Sequence, residues 1–270
     1  MAKDNIDQKL VLGMPSLVEF QTIEENVLLC KGLGLSFVEL NMNLPIFTVA
    51  KIDLIKYKKL ISDNDIFFTF HINERIDIAD FDEYIREAGI RTIEETIEIA
   101  KELGTPVLNM HMNEGVHFSL PNEKVYLYER YREDYLDNVR AFGKRIAKVI
   151  GDSGIILCLE NTGINNYEYI TMALEELLKH DCIKLTWDIG HDYSSDWNDK
   201  DFLTRNKGKI MHFHIHDAIG KANHLELYSG EMEFKDKFEL AKENAGLCVI
   251  EVKTKESLTK SINNLIEKNI

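Results

Sequence analysis

The run KIMHFHIHDA, residues 209–218, sets His212, His214 and His216 two residues apart, with Asp217 immediately after them. On a strand, residues two apart share a face, so the three imidazoles lie on one side and Met211, Phe213 and Ile215 on the other. Three imidazoles would not all face a covering helix, so this strand is expected to turn them into the interior of a barrel. One or two would bind metal, and the remainder would support the ligands or meet substrate. A single histidine here would read more simply as a hydrogen-bonded core residue; three in step, ending beside an aspartate, read as a site.

Working outward from this run, the same pattern recurs. KLTWDIGH (184–191) ends its apolar stretch at Asp188, with His191 three residues on, and ILCLENTG (156–163) ends at Glu160. LCVIEVK (247–253) carries Glu251, while FFTFHIN (67–73) and VLNMHMN (107–113) run into His71 and His111. A carboxylate closing an apolar run is costly to bury unless it is paired or bound to metal. Glu160 alone could be a salt-bridge partner, and His71 or His111 alone a core histidine. Their matched placement argues for one face of a parallel barrel, where the strand ends converge.

Between these runs lie amphipathic, charged stretches, the signature of repeated βα units. Strands are expected at 10–14, 37–40, 66–71, 107–111, 155–160, 184–188, 210–216 and 248–251. Helices are expected at 24–31, 49–62, 93–103, 125–150, 167–179, 199–206, 234–244 and 255–267. In IEETIEIAKEL (93–103), Ile93, Ile97, Ala100 and Leu103 form one apolar stripe opposite a Glu-rich face. Gly104 and Gly151 stand where left-handed stops are wanted. No GxGxxG turn follows the first strand, so a closed (β/α)8 TIM barrel is preferred to an open doubly wound sheet, with a metal site at the C-terminal face of the strands.

The bulk properties agree. A chain of 270 residues, 44% hydrophobic and 29% charged, suits a single barrel domain spanning 1–270. Residues 1–9 are polar and mixed in charge, and no stretch approaches the length of a membrane span, so a soluble, cytoplasmic protein without membrane partners is expected. The four cysteines, Cys30, Cys158, Cys182 and Cys248, stand singly in apolar surroundings and read as buried free thiols. A net charge of -14 disfavours general binding to nucleic acid. Cations gather in one region, at Arg75, Lys124, Arg130, Arg132, Arg140, Lys144 and Arg145. Tyr126, Tyr128, Tyr131 and Tyr135 are interleaved there, but so are Glu129, Glu133, Asp134 and Asp137. Such a mixed face reads as solvated or as a homo-oligomer contact.

These residues resemble the xylose isomerase-like barrel superfamily over nearly the whole chain. In its epimerase branch, Glu, Asp, His and Glu from strands five to eight hold one divalent metal, and the matching positions are Glu160 in LENTG, Asp188 in WDIGH, His214 in HFHIHD and Glu251 in VIEVK. The resemblance implies a sugar or polyol, including sugar phosphate, isomerase or epimerase that uses Mn, Zn, Co or Mg. The metal would stabilise an enediolate while Glu160 and Glu251 move a proton between faces of the carbon. His191 and His216 would orient substrate hydroxyls, and Trp187 or Phe213 would flank the sugar.

The segments HINERIDIADFDEYIR (71–86) and LGTPVLNMHMNEG (103–115) also resemble endonuclease IV repair enzymes. That resemblance implies up to three zinc ions, with His71, His111 and His191 as additional ligands, and DNA containing abasic sites as substrate. The chain departs from that pattern at KANHLELYSGEMEF (221–234), where Ala222 replaces the aspartate expected two residues before His224. A barrel that binds ligand without turnover is the third reading.

Overall fold

The computed structural model describes residues 10–270, and the polar segment 1–9 lies outside the described residues. Eight parallel strands form a closed barrel: β1 (Val11–Pro15), β2 (Phe37–Asn41), β3 (Phe67–His71), β4 (Val107–His111), β5 (Ile156–Glu160), β6 (Ile183–Asp188), β7 (Ile210–Ile215) and β8 (Leu247–Ile250). Each strand pairs with its sequence neighbours, and β8 returns to β1. The (β/α)8 expectation is met. Each expected strand falls within a residue of an observed one, and β7 and β8 stop one residue before His216 and Glu251.

The helices needed more correction. The stripe at 93–103 belongs to a longer helix, Glu83–Leu103, whose first turn is capped by the Asp82 side chain and whose end turns at Gly104 with φ 67°. The expected helix at 49–62 begins only at Leu54, because the Asp53 side chain accepts from the Ile55 and Lys56 amides and fixes the start there. The expected helix at 125–150 is three elements. Lys124–Tyr126 pairs in a hairpin with His117–Ser119, a short turn covers Leu127–Arg130, and the long helix is Arg132–Ile150. A second hairpin, Asp217–Ile219 with Ala222–Leu225, and a short helix, Ile189–Ser194, follow β7 and β6 without having been expected. No disulfide joins the four cysteines, but Cys182 is half-buried, not buried. Among the described residues, no helix is long and apolar enough to cross a membrane.

Inside the barrel, side chains two residues apart along a strand stack in layers. His71, Glu160, Asp188 and His214 form the buried top layer. Two residues back on the same strands stand Thr69, Cys158, Thr186 and His212, joined by Glu39 on β2 and Asn109 on β4, and all six are buried. Below Glu39 and Thr69 the interior turns apolar, with Phe37 and Phe67 stacked at 5.0 Å. Gly13 is the register partner of Phe37, and a Cβ there would lie 2.5 Å from the Phe37 ring. Glycine makes room for the aromatic floor.

Candidate metal centre

The strand register assembles the site. His111 is the cross-strand partner of Glu160, and Asp188 is the partner of His214. Glu251, one residue past β8, reaches the same point, so Glu160, Asp188, His214 and Glu251 each offer one atom within 4.8 Å of the others. His214 Nδ1 lies 3.1 Å from Glu160 Oε1 and 3.1 Å from Glu251 Oε2. His71 Nε2 and His111 Nε2 approach Glu160 Oε2 at 3.2 and 3.1 Å. His191 Nδ1 stands 3.1 Å from Asp188 Oδ2.

Loop chemistry fixes the carboxylates. Asp188 caps the helix Ile189–Ser194 by accepting from the His191 amide at 2.7 Å. Asn161 bridges to the Asp188 backbone at 2.7 and 3.0 Å, and buried Asp199 accepts from Asn161, Gly163 and Asn165, tying the loops after β5 and β6 together. Gly190 is required by close approach, since a Cβ there would lie 2.0 Å from the His216 ring.

The protons can be placed by elimination, because a ring nitrogen facing a carbonyl must donate and one facing an N–H must accept. His71 Nδ1 donates to the Ile72 carbonyl at 3.0 Å, and Nε2 faces Glu160 Oε2 at 3.2 Å, donating to it when the ring is charged and turning a lone pair toward it when the ring is neutral. His214 faces acceptors on both sides, Glu39 at 2.8 Å from Nε2 and Glu160 and Glu251 at 3.1 Å from Nδ1; the shorter contact is the one a neutral ring keeps, with Nε2 as donor and the Nδ1 lone pair toward Glu160 and Glu251. His224 Nδ1 donates to the Glu251 carbonyl at 3.0 Å. Lone pairs and carboxylates thus converge on one another, and His111 Nε2, His191 Nδ1 and Glu251 Oε2 are buried without a hydrogen bond. Such a donor set demands positive charge, either extra protons or a cation.

The electrostatics agree. Burial opposes ionisation of Glu160, yet the imidazoles of His214 and His111 hold its carboxyl well below the ordinary range. Glu251 is also opposed by burial and is held well below that range by His214. Burial pushes His214 down, but Glu160, Glu251 and Glu39 carry it well above the ordinary histidine value. Burial likewise lowers His71, and Glu160 overrides it to about 9. Three carboxylates and an imidazole suit Mn, Zn, Co or Mg, and an ion among them would take the place of the protons that the imidazoles otherwise share with the carboxylates.

Several expected roles are corrected. His216 is fully buried; its Nδ1 accepts the His224 amide at 2.8 Å, so its Nε2 donates to Asp188 at 3.0 Å. No ring nitrogen is left to orient a substrate hydroxyl. Trp187 lies on the opposite face of β6 from Asp188, 5% exposed, with its indole N–H donated to Asp192 at 3.1 Å. Phe213 is fully buried on the outer face of β7. Period two dictates both, since an inward Asp188 and His214 leave their neighbours facing the helices. His224 reaches the site without an aspartate at 222; it adopts φ 54° and stacks on His216 at 4.1 Å. Glu39, Thr69, Asn109 and Thr186 also enter the site; a spacing of two residues before His71, His111 and Asp188 marks the last three, whereas Glu39 lies in a strand that ends in no ligand-type residue.

Known proteins can be set beside this geometry. No curated protein sequence matches the chain. A D-tagatose 3-epimerase-like protein superposes with TM-score 0.77 at 23% identity, covering 96% of each chain. A 3-keto-D-glucoside 4-epimerase from E. coli gives 0.72 at 19% identity, covering 97% of this chain and 99% of that one. The IolI protein with a bound zinc atom gives 0.72 at 14% identity, covering 96% and 97%. The family described as xylose isomerase-like TIM barrel matches residues 27–268, so the chain belongs to that family.

Proposed function

We propose that this protein is a divalent-metal-dependent isomerase or epimerase of a sugar or polyol, acting by proton transfer next to a carbonyl. The observation that carries the reading is the pairing of Glu160 and Glu251. They arrive from β5 and β8, which are not neighbours, and their carboxylates flank the same His214 nitrogen at 3.1 Å. Glu160, Asp188, His214 and Glu251 would hold the ion, which supplies Lewis-acid polarisation of a hydroxy-carbonyl group. Glu160 has one oxygen fixed by the Asn109 amide, so its other oxygen is oriented. Glu251 is half-buried and borders a cavity of about 120 Å³ with Ser16, Asn41, Asn43 and Lys253. Leu17, Val18, Leu44 and Val252 also line it, and a mix of apolar wall and a few hydrogen-bonding groups is what a small-molecule site offers. One carboxylate would take the proton from the carbon beside the carbonyl, and the other would return it on the opposite face. The epimerases among the structural neighbours support this class.

A second reading, hydrolysis of a phosphodiester in abasic-site DNA, draws on the approach of His71 and His111 to Glu160, the arrangement that a multi-zinc centre would use. The cationic region argues the other way. Arg132 pairs with Glu129 and Glu168, Arg140 with Asp137 and Glu176, and Arg145 with Glu87 and Glu94. Those three guanidinium groups already have carboxylate partners, which reduces the charge this region offers a DNA backbone. The deciding experiment incubates metal-loaded protein in D2O with a panel of ketoses and keto-polyols. Epimerised product carrying deuterium at the inverted carbon supports the proposal; cleavage of abasic-site DNA with no sugar turnover would overturn it.

A further inference from the structure

Beneath the four proposed ligands lies Glu39, a fully buried carboxylate that no step of the proposed reaction uses. From its contacts we infer that Glu39 and the Thr186–Asn109 pair are positioning residues, which fix the orientation of two metal ligands from the layer below. The inference rests on the reading of His214 and Glu160 as ligands.

Two arms rise from this layer. In the first, Thr69 Oγ donates to Glu39 Oε2 at 3.2 Å, and Glu39 Oε1 accepts from His214 Nε2 at 2.8 Å. A ligating His214 must be neutral, and with its proton held by Glu39 it would present Nδ1 as a lone pair to Glu160 and Glu251. A carboxylate behind a ligating imidazole fixes both its tautomer and its plane. In the second arm, Thr186 Oγ stands 2.6 Å from Asn109 Oδ1. The amide oxygen cannot donate, so the hydroxyl proton goes to Asn109, and the 3.1 Å contact between Thr186 and His212 Nδ1 is one in which His212 donates. Asn109 Nδ2 then donates to Glu160 Oε2, leaving Oε1 for the ligand set. His212 Nε2 sits 3.2 Å from Glu39 Oε2 without forming a hydrogen bond, so the two arms touch at the base without being joined by one.

The register makes this layer a single unit. Glu39 partners Thr69, Thr186 partners both Glu160 and His212, and Asn109 partners His71. Glu39 is buried and both of its oxygens accept hydrogen bonds, Oε1 from His214 Nε2 and Oε2 from Thr69 Oγ, the arrangement of an ionised carboxylate. A charged group is therefore kept where a barrel ordinarily packs branched aliphatic side chains. Burying that charge is unfavourable unless its partners are held in place, which is what a positioning role requires.

The test titrates Co²⁺ into the full-length protein against a competing chelator and reads both Kd and the visible absorption of the bound ion, with circular dichroism as the check on folding. Glu39→Gln keeps the size and an acceptor oxygen but removes the charge; Thr186→Val breaks the second arm. Loss of such supporting partners costs about 10- to 100-fold in affinity. Glu39→Gln is expected to weaken Kd by at least about tenfold and shift the absorption band, and Thr186→Val to weaken it by less. His214→Ala is the control for the ligand reading. If wild type binds no Co²⁺, or His214→Ala binds it as wild type does, the ligand reading falls and the inference with it. If His214→Ala loses the ion while both other variants keep the wild-type Kd and spectrum, the positioning inference alone is overturned. Should Glu39→Gln fail to fold, Thr186→Val decides.

Discussion

The barrel interior has two halves that obey opposite rules. Toward the amino-terminal ends of the strands it is aromatic and aliphatic, with Phe37 stacked on Phe67 and Gly13 shaped to admit them. Toward the carboxyl-terminal ends it is ionisable, with Glu39, His212 and Asn109 below His71, Glu160, Asp188 and His214. The lower half gains stability from burial of apolar surface. The upper half gives up that gain to gather carboxylates and imidazoles whose charges must balance one another. Division along the strand axis means that changes in one half should leave the signature property of the other intact.

The largest expected effect lies at the top. On the proposed reading Glu251→Ala removes both a proton carrier and a ligand, and should lower turnover by about 10³-fold or more and strip the metal; activity and metal content measure the two losses. A normally active variant would remove Glu251 from the centre. In the floor, Phe37→Ala should cost about 3–5 kcal/mol in denaturant unfolding while leaving metal affinity unchanged. A matching loss of metal affinity would dissolve the division between the halves.

A pH experiment sharpens it further. Burial, reinforced by nearby Asp199, raises Asp192 to about 7. Its folded value lies above its unfolded one, so its stabilising contribution is complete below the unfolded value near 4 and is lost as pH rises through about 7. Wild type should therefore lose Tm relative to Asp192→Asn between pH 5 and pH 8, each taken as a roughly chosen end of that window. Parallel curves would show that Asp192 does not titrate there. The smallest effect is expected outside the barrel. Arg132→Ala breaks half-exposed surface pairs with Glu129 and Glu168, and should change stability by no more than about 0.5 kcal/mol and turnover not at all. A large loss of turnover would place that helix at the substrate.

Much of the upper half was legible in the sequence because its residues break the apolar pattern of the strands that carry them. His71, His111, Glu160, Asp188, His214 and Glu251 each interrupt or end an apolar run, and strand period alone turns them inward. The same period could have excluded Trp187 and Phe213 as substrate contacts, since each neighbours an inward ligand. It could also have flagged Thr69, Asn109 and Thr186, which sit two residues before His71, His111 and Asp188. Glu39 was harder to see, because β2 ends in Asn41 and offers no ligand to count back from. The hairpins at 117–126 and 217–225 escaped notice because their pairing is set by turn geometry, and the first of them interrupts a charged stretch that reads as continuous helix. His224 enters the site through a left-handed backbone turn that no spacing rule anticipates.

The measurement that bears most directly on the central claim is the number of divalent ions bound per chain in metal-loaded protein, counted by elemental analysis for wild type, Glu251→Gln and His71→Ala. One ion per chain, lost in Glu251→Gln and retained in His71→Ala, is the result expected of a single-metal proton-transfer centre. Three ions per chain, with one or more lost in His71→Ala, would contradict it.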